Sequence, residues 1–145
     1  MNAIEQTQTL TSQLAQQKAN TRKKLPQETV ELMLNKTAEL EISGIAENVL
    51  NLGDVAADFQ LSNSVGEFVC LSELLKNGSV VLTFYRGGWC PYCNLELRAL
   101  QQKLPQMQKY NAQIVAVSPQ TPDNSLSVQE KNELEFPDTS STQRC

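Results

Sequence analysis

The apolar positions of the chain change period twice. In the Gln- and Thr-rich stretch from Ala3 to about Asn20, Ile4, Leu10 and Leu14 form one thin stripe, which predicts a weakly amphipathic helix. A second helical period starts near Pro26, a good first-turn residue. It puts Val30, Met33, Leu34, Thr37 and Ala38 on one face before Gly44 stops it. Residues 1–48 are therefore expected to form an N-terminal helical hairpin packed on the rest of the chain, its thin stripes serving as packing faces.

Beyond Gly53-Asp54, a turn signal, the texture alternates. Asp58 to Leu61 begins a strand-like pattern, and Val65-Gly66-Glu67 reads as a hairpin turn before Phe68-Val69-Cys70-Leu71. Ser72 is expected to cap a short helix, Glu73 to Lys76, that stops at Asn77-Gly78. The continuous apolar run from Ser79 to Tyr85 predicts a strand buried on both faces. A helix follows from about Pro91 to Leu104, with Leu95, Leu97, Leu100 and Leu104 as its apolar positions and Pro105 as a break or kink. Ala112 to Ser118 reads as a second buried strand, and residues 125–134 as a helix capped near Ser125 or Ser127. Strand, helix, strand, helix in this order implies an α/β fold with βαβ units and a parallel sheet. Residues 49–137 would hold this domain, and residues 138–145 a polar tail without apolar period.

At 145 residues the chain has room for one domain and an appendage. A net charge of −4 without a basic stripe gives nothing to attract nucleic acid or an anionic membrane. No apolar window is long enough to cross a bilayer, and the first twenty residues hold no signal-peptide core, so the cytoplasm is the expected location. Histidine is absent, which removes Cys-His dyads, mixed Cys/His zinc sites and imidazole acid–base chemistry. Chemistry is left to four cysteines: Cys70, Cys90, Cys93 and Cys145. In a reducing compartment a close pair among them signals redox or metal chemistry rather than a structural disulfide.

Cys90-Pro91-Tyr92-Cys93 stands where a strand hands over to a helix. A cysteine at a helix N-cap faces unpaired amide hydrogens and the positive end of the dipole, both of which favour thiolate over thiol. Such a site can lower a thiol pKa from about 8.5 toward 7. Pro91 fits the first helical turn, Gly87 and Gly88 permit a sharp turn, and Arg86 can add positive charge near a thiolate. Trp89 and Tyr92 flank the thiols and would form an apolar rim for an extended or disulfide-bearing substrate. A zinc site completed by Cys70 and Cys145 is the rival arrangement, but zinc usually pairs one CxxC with another. Neither metal nor other cofactor is therefore expected. Cys70 reads as a small buried hydrophobe and Cys145 as a terminal thiol that could resolve.

From about Asn51 to Phe136, the stretch containing GDVAADFQLSNSVGEFVCLSELLKNGSVVLTFYRGGWCPYCNLELRALQ resembles the alkyl hydroperoxide reductase/thiol-specific antioxidant family. The likeness is to its peroxiredoxin-like members with a CxxC. It implies a thioredoxin-like fold and a thiol-dependent peroxidase reduced by thioredoxin or a similar dithiol. The family pattern Pro-x-x-x-Thr/Ser-x-x-Cys falls on Arg86, Cys90 and Cys93, so Cys93 takes the peroxide-attacking place while the other two positions depart. The dipeptide Pro91-Tyr92 is that of glutaredoxins, and in thioredoxins the first cysteine, here Cys90, is the exposed attacker. A glutaredoxin- or thioredoxin-like disulfide reductase is thus the alternative, and an inactive truncated binding protein the second.

The resemblance fades near Pro137, before the further strand, hairpin and helix that a thioredoxin-like domain carries. The expected fold is accordingly one with an incomplete C-terminal half, completed by a homodimer or else of low stability.

Overall fold

The computed structural model describes residues 8–141, and the chain divides between Ala57 and Asp58. In the first unit, α1 (Leu10–Lys24) starts at Thr9, whose Oγ1 accepts the Ser12 N–H at 3.3 Å. Helix α2 (Gln27–Ile42) follows Pro26 and gives way at Gly44, whose φ of 72° is left-handed, to a 3-10 turn at Ile45–Asn48. Both expected helices are present; Ile4 lies outside the described residues. No residue of either is buried. The division comes later than the expected 48/49 boundary. Residues 49–57 hold no helix or strand, and Val49, Leu50, Leu52 and Val55 are exposed.

In the second unit, β1 (Gln60–Asn63) and β2 (Phe68–Cys70) form the expected antiparallel hairpin, followed by α3 (Leu71–Leu75). Then come β3 (Ser79–Phe84), α4 (Pro91–Gln108), β4 (Ala112–Ser118), α5 (Pro122–Lys131) and β5 (Asp138–Ser140). The sheet order is β2-β1-β5-β4-β3. β3 runs parallel to β4 and β4 to β5, the pairs joined by α4 and α5, while β5 and β1 are antiparallel. The βαβ reading holds, because an apolar run followed by a helical period can return to the sheet only by a crossover. Tyr85, Leu97, Leu104, Ile114, Ala116, Val128, Leu134 and Phe136 form the core between the sheet and its helices.

Five expectations are corrected. The Ser79–Tyr85 run is not buried on both faces: β3 is an edge strand, half-buried along its middle and exposed at Phe84, and the strand inside the sheet is β4. Ser72 does not cap α3. The helix begins at Leu71, and the Ser72 N–H donates instead to Asp58 Oδ1 at 2.9 Å; the Ser72 side chain first, and then this backbone bond, hold the Asp58 carboxyl below its usual range. Pro105 does not end α4, which continues to Gln108 because Leu104 and Met107 pack on the core from its last turns. Helix α5 starts at Pro122 after Thr121, so Ser125 lies buried within it rather than at its cap.

The largest correction concerns the polar tail. Asp138, Thr139 and Ser140 are fully buried as β5, between β1 and β4. Leu134 and Phe136 anchor the approach in the core, and each side chain of the strand makes a hydrogen bond, although Asp138 Oδ1 is buried without a partner among the described residues. The Asp138 carboxylate accepts the Tyr85 hydroxyl at 2.6 Å, Thr139 Oγ1 donates to the Ala116 carbonyl at 2.9 Å, and Ser140 Oγ donates to the Gln120 carbonyl. Polar side chains can be buried when hydrogen bonds replace those lost from water.

Candidate active site

The thiol pair sits at the end of β3 that leads into α4. Tyr85 continues the ladder, donating its N–H to the Val117 carbonyl at 3.0 Å; the chain then turns through Gly87 and Gly88. A Cβ on Gly88 would run into the Val128 side chain, and one on Gly87, whose φ is 151°, would lie 2.5 Å from Trp89 Nε1, so a larger residue at either position would force its neighbours to shift. Cys90 is the N-cap of α4 and Pro91 its first residue, as the sequence implied. The Cys90 N–H donates to the Gly87 carbonyl at 3.0 Å, and the Cys90 carbonyl accepts the Asn94 N–H at 3.2 Å, closing the first turn around Cys93.

The two thiols, both free, differ in access: Cys90 is 5% exposed, whereas Cys93 is half-buried. Burial pushes the Cys93 thiol above its ordinary value, and the neighbouring Cys90 adds to this, while the backbone of Arg86 and of Gly87 pulls it back toward thiolate. The lowering expected from the helix start is therefore outweighed at Cys93 by desolvation. The Arg86 side chain is exposed and stacks over the Trp89 ring at 4.8 Å. Arg86 thus meets Cys93 through its backbone and Trp89 through its guanidinium. Trp89 is 66% exposed and Tyr92 half-buried. Cys70 closes β2 and is half-buried, not a core residue; Cys145 lies outside the described residues. Among the described residues, no three Cys, Asp or Glu side chains gather in a group that could hold a metal.

Several residues that frame the site carry no local signal in the sequence. The Gly88 peptide is held from both sides: its N–H donates to Gln120 Oε1 at 2.8 Å, and its carbonyl accepts Asn94 Nδ2 at 2.8 Å. Asn94 Nδ2 also donates to the Cys90 carbonyl at 3.0 Å. Asn94 Oδ1 accepts from Asn132 Nδ2 at 2.8 Å, and Asn132 Oδ1 accepts from Arg98 at 2.8 Å. Asn94 and Asn132 are both buried. Only Asn94, four residues after Cys90 on the same helix face, could have been suspected from spacing. Beside the loop, Gly88, Trp89, Gln120, Ser127, Val128 and Lys131 line a cleft of about 330 Å³.

The model of the AhpC/TSA family matches residues 52–144. A Helicobacter pylori strain J99 protein assigned as peroxiredoxin bcp is 41% identical over 80 residues, 55% of this chain and 50% of that protein. The chain thus spans about half the length of the curated relatives it matches. Among solved structures, the peroxidoxin BcpB of Mycobacterium tuberculosis superposes with a TM-score of 0.63 at 28% identity, covering 66% of this chain and 62% of its own. The bacterioferritin comigratory protein of Xanthomonas campestris, studied for alkyl peroxide reduction, gives a TM-score of 0.54 at 26% identity, covering 58% and 53%.

Proposed function

Because the chain belongs to the AhpC/TSA family, we propose that it is a thiol-dependent peroxidase in which Cys93 attacks the peroxide and Cys90 resolves the product. Its α/β thioredoxin-like fold, preceded by helices α1 and α2, is the one expected from the sequence and shared with peroxiredoxin structures. The observation that carries the assignment of roles is the difference in access between the two thiols. Cys90, at 5% exposed, offers no sulfur to a disulfide held in another protein, whereas a peroxide is small enough to reach half-buried Cys93. This same burial disfavours the thioredoxin-like alternative, which needs Cys90 as an exposed attacker.

The chemistry balances within the pair and one external reductant. The Cys93 thiolate attacks one oxygen of the O–O bond and becomes sulfenic acid; the other oxygen takes up a proton and leaves as water or an alcohol. The Cys90 thiol then condenses with the sulfenic acid, forming the Cys90–Cys93 disulfide and releasing water. A cellular dithiol of the thioredoxin kind attacks that disulfide and returns both thiols, itself becoming oxidised. The backbone amides of Arg86 and Gly87 support the attacking thiolate, and the Arg86–Trp89 pair forms the rim on which substrate or reductant rests. Among the described residues no helix is long and apolar enough to cross a membrane; a cytoplasmic setting and a homodimer belong to the same proposal.

The test is peroxide-dependent NADPH oxidation coupled through thioredoxin and its reductase. Wild type turns over, Cys93→Ser falls to background, and Cys90→Ser reacts once and then stalls under thioredoxin. Reduction of a small disulfide with no peroxide turnover would favour the reductase instead.

A further inference from the structure

The loop that carries the thiols is tied to the middle of the sheet by a chain of side chains. Gly88 N–H donates to Gln120 Oε1 at 2.8 Å, Gln120 Nε2 donates to the Tyr85 hydroxyl at 3.2 Å, and that hydroxyl donates to Asp138 Oδ2 at 2.6 Å. Its polarity is determined from the Asp138 end. An ionised carboxylate can only accept, so it takes the single Tyr85 proton. The Tyr85 oxygen is then left to accept, and Gln120 must turn its NH₂ toward it. The carbonyl end of the Gln120 amide consequently faces Gly88 N–H. Tyr85 is 6% exposed and Asp138 fully buried, so both are shielded from bulk solvent.

We propose that Gln120, Tyr85 and Asp138 form a positioning relay that fixes the Gly88 peptide and thereby holds the Arg86 and Gly87 amides on the Cys93 sulfur. The inference rests on Cys93 as the attacking thiol. Tyr85 and Asp138 are buried and Gln120 lines the wall of the cleft; all three act through the loop. The geometry is supported by the direction of the ionisations: burial raises the Tyr85 hydroxyl well above its ordinary value, so it stays a donor. Asp138, pushed up to about 6 by burial, is still ionised at neutral pH. With the relay cut, Gln120 loses its Tyr85 contact, the Gly88 peptide keeps only the Asn94 bond to its carbonyl, and the amides that favour the Cys93 thiolate are held less firmly.

The experiment measures the rate of Cys93 alkylation by iodoacetamide against pH. It uses full-length reduced protein carrying Cys90→Ser, with peptide mass spectrometry separating Cys93 from Cys70 and Cys145. Adding Tyr85→Phe or Gln120→Ala is expected to slow alkylation roughly threefold at neutral pH and to move the profile to higher pH, as a smaller thiolate fraction requires. Asp138→Asn, which keeps an oxygen to accept the Tyr85 proton, is expected to retain most of the parent rate, while Asp138→Leu loses it. A profile unchanged in both Tyr85→Phe and Gln120→Ala, with only the melting temperature lowered, would overturn the relay. Equal losses in Asp138→Asn and Asp138→Leu would do the same. Should Tyr85→Phe fail to fold, Gln120→Ala, whose side chain lies at the edge of the cleft, decides the matter. The measurement uses no peroxide. A relay seen here in a chain without peroxide turnover would leave the relay standing and remove the peroxidase reading.

Discussion

Strands β4 and β5 lie side by side in one sheet, run parallel and are both buried, yet they are built from opposite materials. β4 is Ala-Gln-Ile-Val-Ala-Val-Ser; its Ile114, Val115, Ala116 and Val117 are all buried, and Ile114 and Ala116 belong to the core. β5 is Asp-Thr-Ser, and its side chains are held by Tyr85, the Ala116 carbonyl and the Gln120 carbonyl. One strand is stabilised by removing apolar area from water, the other by satisfying polar groups already removed from it. The second solution lies at the end of the sheet where the thiol loop sits, so the same bonds that allow Asp138 inside also reach Gly88.

The largest test of this contrast is Ile114→Ala in β4. Ile114 is 1% exposed, and its truncation leaves a cavity in the core, expected to cost about 2–5 kcal/mol in chemical denaturation. A cost below that of any β5 substitution would mean the apolar strand is not the main source of stability. The next effect is electrostatic. Asp138 is pushed up to about 6 by burial, so between its unfolded value and 6 the folded protein binds more protons than the unfolded one. Stability relative to Asp138→Asn is therefore greatest in acid and falls as pH rises through this window, by about 1–3 kcal/mol between pH 4 and pH 7. Parallel pH profiles for the two proteins would show that Asp138 is not buried as an ion. The smallest change is Thr139→Val, which removes the bond to the Ala116 carbonyl while filling the same volume. It should lower stability by about 1 kcal/mol in the same denaturation series. A stabilised Thr139→Val would break the comparison, because β5 would then be buried despite its polarity and not through it.

The contrast also explains what could be read from the sequence. Apolar period announced α4 and β4, and placed Cys90 at the helix start, because hydrophobic burial is a local pattern written every second or every third and fourth residue. It misjudged β3, since the same run of Val and Leu serves an edge strand as well as a central one. It passed over β5 altogether, because three polar residues look alike whether they meet water or buried partners elsewhere in the chain. Gln120, Asn132 and Asp138 reach the site from well beyond the cysteine pair in the chain, and their partners are chosen by topology rather than by neighbours in the sequence. The thiol motif was legible in full; the frame that orients it was not.

The central claim is that half-buried Cys93, and not buried Cys90, meets the peroxide. Trapping the first oxidation product tests it most directly. Full-length Cys90→Ser and Cys93→Ser are each given one equivalent of hydrogen peroxide with dimedone present, and the labelled residue is found by peptide mass spectrometry. The account predicts a dimedone adduct on Cys93 in Cys90→Ser, no adduct on Cys90 in Cys93→Ser, and a Cys90–Cys93 disulfide in the wild type. An adduct on Cys90 in Cys93→Ser, with Cys93 unlabelled in Cys90→Ser, would contradict it.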